Sequence, residues 1–387
     1  MQPGSLLPIA AFLVLLGSQA SAQDPAFWRK HITPLAPEDL RSKRELPMLD
    51  SMLGANRFFF TAERHYRAIN TELQYAFLVY LHQRAGVRTL ILETGYSYGH
   101  FVNQYMETGD PAALRKIFAA HPVCPQSMAL LFDSLRRYNL CLPPQERIRV
   151  VGIDLEYSPR LAMACIESLL PKPAPAGSHT PWIERLRHMA ADPRKSPKAL
   201  ARFLQQWGTE MMRDSAGWQQ YWGDQYPRIQ GILRNAVLGR RFSRPLTRSL
   251  RLSWQRREAQ LYRNFLSLAP SLPEGNYYAQ FGAIHTYLGG SHRKHFTPLA
   301  QQLSQDSSSP VQGQVLSIAR YLHQPQHYRR LGERHSLQYF MYQASSRYPG
   351  QVALCHLGGA DGPFPKMRQN FPLILWVSPD LETFLCE

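Results

Sequence analysis

Arg57-Phe58-Phe59-Phe60-Thr61-Ala62-Glu63-Arg64-His65 and Arg88-Thr89-Leu90-Ile91-Leu92-Glu93 decide how this chain folds. Each is an apolar run of strand length that ends on a carboxylate, and the first carries a histidine two residues beyond its acid. In open α/β sheets, ligands bind outside the carboxyl ends of parallel strands. Acids and an imidazole delivered to that edge read as a site, because a core accepts an unpaired charge only at high cost.

Reading outward, apolar positions at helical spacing (Ile69, Leu73, Ala76, Phe77, Tyr80, Leu81) predict a helix over 67–84, closed before Gly86. Helices at about 98–108, 111–120 and 126–140 lead to a strand at 148–154, Ile-Arg-Val-Val-Gly-Ile-Asp. Strand, helix, strand, helix, strand is the rhythm of a parallel sheet built by right-handed crossovers. A Pro-rich stretch at 171–181 interrupts it, and the chain from about 182 to 270 reads as helical, with seams of Trp207, Trp218, Trp222, Tyr226 and Trp254. Such seams pack as core. Sheet signals resume at 276–284, with a helix at about 292–304 and strands near 313–320, 350–356 and 372–377. The expectation is an α/β fold: a central, mostly parallel sheet flanked by helices. A helical insertion, about 171–272, lies over the carboxyl edge of the sheet and forms the pocket wall. Residues 23–387 form a single domain.

Leu6 to Leu16 is almost wholly apolar and Ala20-Ser21-Ala22 precedes Gln23, an A-x-A pattern after a run too short to span a bilayer. Residues 1–22 therefore read as a signal peptide, which makes the protein exported, periplasmic or secreted, with no stable membrane anchor after cleavage. The 387 residues are 44% hydrophobic and carry a formal charge of +16. That balance fits a generally basic surface or an anionic small-molecule substrate. No long Lys/Arg run or groove-reading motif is present, so nucleic acid is not an expected partner. Cys124, Cys141, Cys165, Cys355 and Cys386 form no metal-spaced pair; Cys124 and Cys141 are placed to bridge across one helix, and Cys165 and Cys355 lie in apolar stretches that suggest burial.

The strand ends collect Glu63, His65, Glu93, Asp154 and His285. A histidine held by carboxylates acts as a general base, because negative charge orients it and raises its basicity. Arg257, on a predicted helix of the insertion, offers a planar fork for a carbonyl or carboxylate. These residues carry a family resemblance. Ala62-Glu63-Arg64-His65, Thr89-Leu90-Ile91-Leu92-Glu93, Asn103-Gln104-Tyr105, Val151-Gly152-Ile153-Asp154, Arg257-Glu258 and Phe281-Gly282-Ala283-Ile284-His285 together resemble the erythromycin esterase family in pattern and order over about 52–290. The resemblance implies metal-independent ester hydrolysis without a cofactor. In it His65 activates water, Glu63 and Glu93 orient and charge-balance His65, and His285 and Arg257 polarise the carbonyl, with Asp154 also on the substrate side. Two departures stand out. The family's Gly-Glu-x-x-His-Gly is here compressed to Glu63-Arg64-His65, and Leu288 occupies the place of a second late histidine. The compressed spacing is similar to haem- or iron-binding lipoproteins of the wider superfamily.

Two rival patterns overlap the same residues. Gly95-Tyr96-Ser97-Tyr98-Gly99 fits G-x-S-x-G, with Asp154 and His285 following in the order of a serine esterase, although Ser97 also reads as the N-cap of a helix beginning near Tyr98. Glu63, His65, Glu93 and His285 are acceptable Zn²⁺ or iron ligands, which suggests a binding protein for metal, haem or an anionic ligand, but no metal-ligand spacing supports it.

Overall fold

Strand runs that are apolar on both faces demand a covering layer on each side, and the chain supplies one. A computed structural model describes residues 32–41, 45–121, 125–171, 177–242, 250–289, 296–320, 351–356, 371–378 and 381. Among them are strands β1 (Ile32–Leu35), β2 (Phe58–Glu63), β3 (Val87–Gly95), β4 (Arg149–Asp154), β5 (Asn276–Gly282), β6 (Val315–Arg320), β7 (Val352–His356) and β8 (Leu373–Val377). They form one eight-stranded sheet in the order β1-β7-β8-β6-β2-β5-β3-β4. Every pairing from β8 across to β4 is parallel, and only β7 runs against its neighbours. The strands stand where the apolar runs predict them; β1, a short edge strand, was not expected.

Helices α1 (Pro37–Arg41), α2 (Pro47–Leu53), α3 (Ile69–Ala85), α4 (Tyr96–Thr108), α5 (Pro111–Ala120), α6 (Pro125–Leu140) and α7 (Pro159–Ser168) belong to the first half. The insertion contributes α8 (Thr180–Ala191), α9 (Pro197–Arg213), α10 (Ser215–Trp222), α11 (Tyr226–Phe242) and α12 (Leu250–Leu268), and α13 (Leu299–Gln305) follows β5. Side chains alternate across the strands. Phe59, Leu90, Leu92, Val150 and Tyr278 join α3, α4, α6 and α7 in one core, which continues into Trp207, Trp218, Trp222 and Tyr226 of the insertion. Phe58, Phe60, Ile91, Val151, Ile153, Ala279 and Phe281 join Leu261, Tyr262 and Phe265 of α12 and Leu299 and Leu303 of α13 in a second core.

The expected mostly parallel sheet with flanking helices is thus present; Trp207, Trp218, Trp222 and Tyr226 are core, whereas Trp254 is half-buried beside Arg257. The insertion differs in detail from expectation. Helices α8, α9 and α11 pack on α7, alongside the β4 edge of the sheet, and α12 crosses the strand ends, where Asn264 Nδ2 donates to Ile153 O at 2.7 Å. Of the insertion's described residues, Arg257 alone lines the cavity at those ends. Cys165 and Cys355 are buried, Cys141 is exposed, and all three are free thiols. The expected signal segment over 1–22, Cys124 and Cys386 lie outside the described residues, and no described helix is long and apolar enough to cross a membrane.

The β3–β4 pairing shifts register between Leu92 and Gly95, which bends the end of β3 over β4. Gly152 makes room for the bend: a Cβ there would lie 2.0 Å from Gly95 O and 2.6 Å from Thr94 O. Backbone atoms cannot rotate away, so Gly152→Ala is expected to cost about 1–3 kcal/mol, at the upper end of that range for overpacking. Urea unfolding followed by circular dichroism measures it, and an unchanged midpoint contradicts this close approach.

Candidate active site

The chain bends just past Glu63, the last residue of β2, and there Glu63 Oε1 lies 2.6 Å from His65 Nδ1. Beyond His65 the chain turns sharply through Tyr66, a non-glycine residue at φ 62°, and the Arg64 carbonyl is tied to Asn70 Nδ2 at 2.8 Å. Glu63 Oε2 accepts from Gln280 Nε2 at 2.9 Å, so both carboxylate oxygens are engaged. The imidazole rests over β5, where only glycine fits; a Cβ on Gly282 would stand 2.6 Å from His65 Nε2 and 3.5 Å from Glu93 Oε2. The His65 side chain is half exposed. Its pKa is raised above the ordinary imidazole value, chiefly by the hydrogen bond to Glu63, with the charges of Glu93 and Glu63 adding to it against partial burial.

Glu93 anchors a second, buried group. Its Oε2 accepts from Gly282 N at 2.8 Å and its Oε1 from Arg257 Nη2 at 2.8 Å. His285 Nε2 lies 3.0 Å from the same Oε1. Arg257 forks onto Asp154, with Nε on Oδ1 at 3.0 Å and a short Nη2–Oδ2 contact. On the far side of the imidazole, His285 Nδ1 stands 2.5 Å from Glu258 Oε1, an ion-pair contact rather than an aligned hydrogen bond. Glu258 Oε2 accepts from Leu299 N at 2.7 Å. Burial works against charge on His285, but Glu258 and Glu93 outweigh it and push its pKa up to about 10. Burial likewise opposes ionisation of Glu93, yet His285 and then Arg257 hold its carboxyl well below the usual range.

Glu63, His65, Glu93, Asp154 and Arg257 line one cavity of about 460 Å³, together with Asn70, Gln74, Tyr98, His121, Tyr157 and others. The strands that carry them, β2, β5, β3 and β4, are adjacent, so the site spans about 14 Å at the usual strand spacing. His285 belongs to the same cluster but is 1% exposed and sits behind Glu93, outside the cavity lining. Ser97 does not join them. Helix α4 begins at Tyr96 with Gly95 as its N-cap, so Ser97 is not the cap either. Its side chain is fully buried, outside the cavity lining, and its amide donates to Glu156 Oε1 at 2.9 Å. Burial of Glu156 pushes that carboxyl up to about 7. Among the described residues no group of three or more His, Cys, Asp or Glu is arranged to hold a metal ion; the candidate ligands are committed to Arg257, Glu258 and Gln280 instead.

Four contributors escape a reading of strand ends. Gln280 is an uncharged residue inside a strand, Glu258 neighbours Arg257 on a helix, and Tyr157 and His121 lie in loops. A polar Gln within Tyr277-Tyr278-Ala279-Gln280-Phe281 is the one usable sequence signal among them.

Part of the chain is similar to the erythromycin esterase family, and its fold to several solved structures. The family model described as erythromycin esterase matches residues 82–225, which include Glu93 and Asp154 but not Glu63, His65, Arg257 or His285. No curated protein matches the chain in sequence. An erythromycin esterase variant, EreC in its open conformation, superposes with a TM-score of 0.60 at 14% identity, covering 89% of this chain and 97% of its own. A Bacillus cereus protein gives 0.60 at 13% identity, with 93% and 97% covered. A succinoglycan biosynthesis protein gives 0.60 at 12% identity, also with 93% and 97% covered. At these identities the structural likeness is one of fold.

The buried imidazolium has a consequence for stability. His285 binds its proton more tightly folded (about 10) than at its ordinary value of 6.5, so its contribution is complete below about pH 6.5 and is lost as pH rises through 10. Denaturant titrations between pH 6 and pH 10 are expected to show the gap between wild type and His285→Gln shrinking as pH rises. A gap that widens with pH contradicts the buried imidazolium.

Proposed function

We propose that this chain is a hydrolase of carboxylic esters or related acyl bonds in which His65 activates water. One observation carries the reading: a half-exposed imidazole in the cavity has Nδ1 fixed by Glu63 at 2.6 Å, which leaves Nε2 as the available nitrogen. The similarity to erythromycin esterases supports a reaction at an ester bond. In this reading Nε2 takes a proton from water as the water oxygen adds to the acyl carbon. The resulting imidazolium is balanced by Glu63, and the same proton then passes to the departing alkoxide, giving acid and alcohol. Glu93 stays anionic and completes the field around His65. Arg257 supplies positive charge at the wall, with His285 behind it as a positioning residue that holds Glu93.

The cavity does not share the chain's basicity. Glu63, Glu93, Asp154 and Glu258 face Arg257, His285 and His65 at the strand ends, four acids against three bases, which leaves the region net negative even with His65 protonated and more so once it loses its proton. That balance supports a small-molecule substrate without its own anionic group. The apolar 6–16 run and Ala20-Ser21-Ala22 support the further reading that the protein works after export.

His65→Ala is expected to lower kcat/KM on a responsive ester by about 10²–10⁴-fold, the usual worth of a general base, while Ser97→Ala changes it less than about threefold. Covalent capture of Ser97 by a fluorophosphonate would overturn this assignment in favour of a serine esterase. Stoichiometric metal or haem in the purified protein, with no His65-dependent turnover, would instead favour a binding protein.

A pH–rate profile tests the same base independently. Because Glu63 raises the His65 pKa above 6.5, kcat/KM should climb with pH along a limb centred above that value, and Glu63→Gln should move the limb downward. An upward or absent shift counts against Glu63 as the orienting partner.

A further inference from the structure

The two sides of the cavity differ in chemistry. Every carboxylate at the strand ends has partners, and Arg257 crosses from the α12 side. The opposite side, which faces the core shared by α3, α4 and α6, presents Thr71, Gln74, Tyr98, His121 and Met128. None of these carries a formal charge at neutral pH: burial lowers the His121 pKa from its ordinary value and raises the Tyr98 phenol. Gln74 and Tyr98 are each only 6% exposed. Among the described residues, the Gln74 amide, the Tyr98 hydroxyl and the His121 ring have no hydrogen-bond partner. Their polar atoms open onto the cavity, where water or a ligand can satisfy them. The rings of Tyr98 and His121 lie 5.9 Å apart at a tilt of 59°, placing aromatic surface between the polar tips.

We propose that Gln74, Tyr98, His121 and Met128 form a subsite for the part of the substrate remote from the scissile bond, and that it accepts an uncharged, hydroxyl-bearing ring. The amide and the neutral imidazole each offer both a donor and an acceptor, the phenol does the same, and these match hydroxyl groups. Met128 and the aromatic faces match the C–H surface of such a ring. A carboxylate or phosphate finds no cation on this wall and meets Glu63 and Glu93 beyond it. The cavity volume of about 460 Å³ lies within the common small-molecule range of about 300–1,000 Å³. The inference rests on the ester-hydrolase reading for the identity of the reacting bond, but not for the binding of the ring.

The test uses methyl 6-O-acetylglucoside, a hydroxyl-bearing ring ester, against 4-nitrophenyl acetate, with the intact chain. His121→Phe and Gln74→Leu should each lower the ratio of kcat/KM for the first over the second by about 10-fold, the worth of one lost hydrogen bond. Ratios that stay within about twofold for both variants overturn the subsite. Methyl glucoside binding, followed by ligand-observed NMR, separates this claim from the hydrolase reading. Binding by wild type that both variants lose supports the subsite even where no ester is turned over. Absence of binding to wild type, together with absence of preference for the ring ester, overturns it. Thermal melting of each variant confirms that a loss is not a loss of fold, and Met128→Leu serves as a volume-conserving check on a variant that melts early.

Discussion

The carboxyl edge of this sheet depends on cancelling negative charge where water has little access. Asp154 and Glu258 are 1% and 0% exposed, and the Glu93 side chain 14%. Two cations answer them, the Arg257 guanidinium and the His285 imidazolium, both themselves buried. Removing one partner from such a group strands a charge at about 3–5 kcal/mol, so the members are kept or lost together. The arrangement also explains why an insertion of this length is tolerated. Its last helix, α12, brings the arginine without which β3 and β4 could not end on acids.

Much of the fold was legible because its signals are local. Apolar strand runs such as Phe58–Phe60 and Leu90–Leu92 and the helical spacing of α3 are set by neighbours within one turn or one pleat. What escaped has physical reasons. Ile32–Leu35 is a four-residue edge strand containing Pro34, too short to show a pattern and held by its antiparallel pairing with β7. Ser97 looked like a cap because the helix was expected to begin two residues late. In the structure a carboxylate from the β4 side, Glu156, serves the helix N-terminus instead, a contact spanning 59 positions that no local rule contains.

The site was legible in its acids and imidazoles and opaque in its neutral groups. Strand-end position singles out Glu63, Glu93 and Asp154, since charge there needs a reason. Gln280, Gln74 and Tyr98 draw no such attention, because uncharged polar residues occur throughout a fold. The compressed Glu63-Arg64-His65 spacing proved informative in a different way. It brings acid and imidazole into direct contact at 2.6 Å where the chain bends out of β2.

The position of β5 shapes how the molecule is made. β2 and β3 are not hydrogen-bonded to each other; β5 lies between them and pairs with both in parallel. On a ribosome, β5 emerges only after the whole insertion, so until then the nascent chain holds a β3–β4 pair and an unpartnered β2, each with an open apolar edge. Such edges are templates for pairing with other chains. Closure by a late strand is also a contact of high sequence separation, which slows folding. The insertion of β5 that joins β2 to β3 also brings Gly282 beneath His65 and Gln280 beside Glu63, so assembly of the site and closure of the facing edges of β2 and β3 are one event.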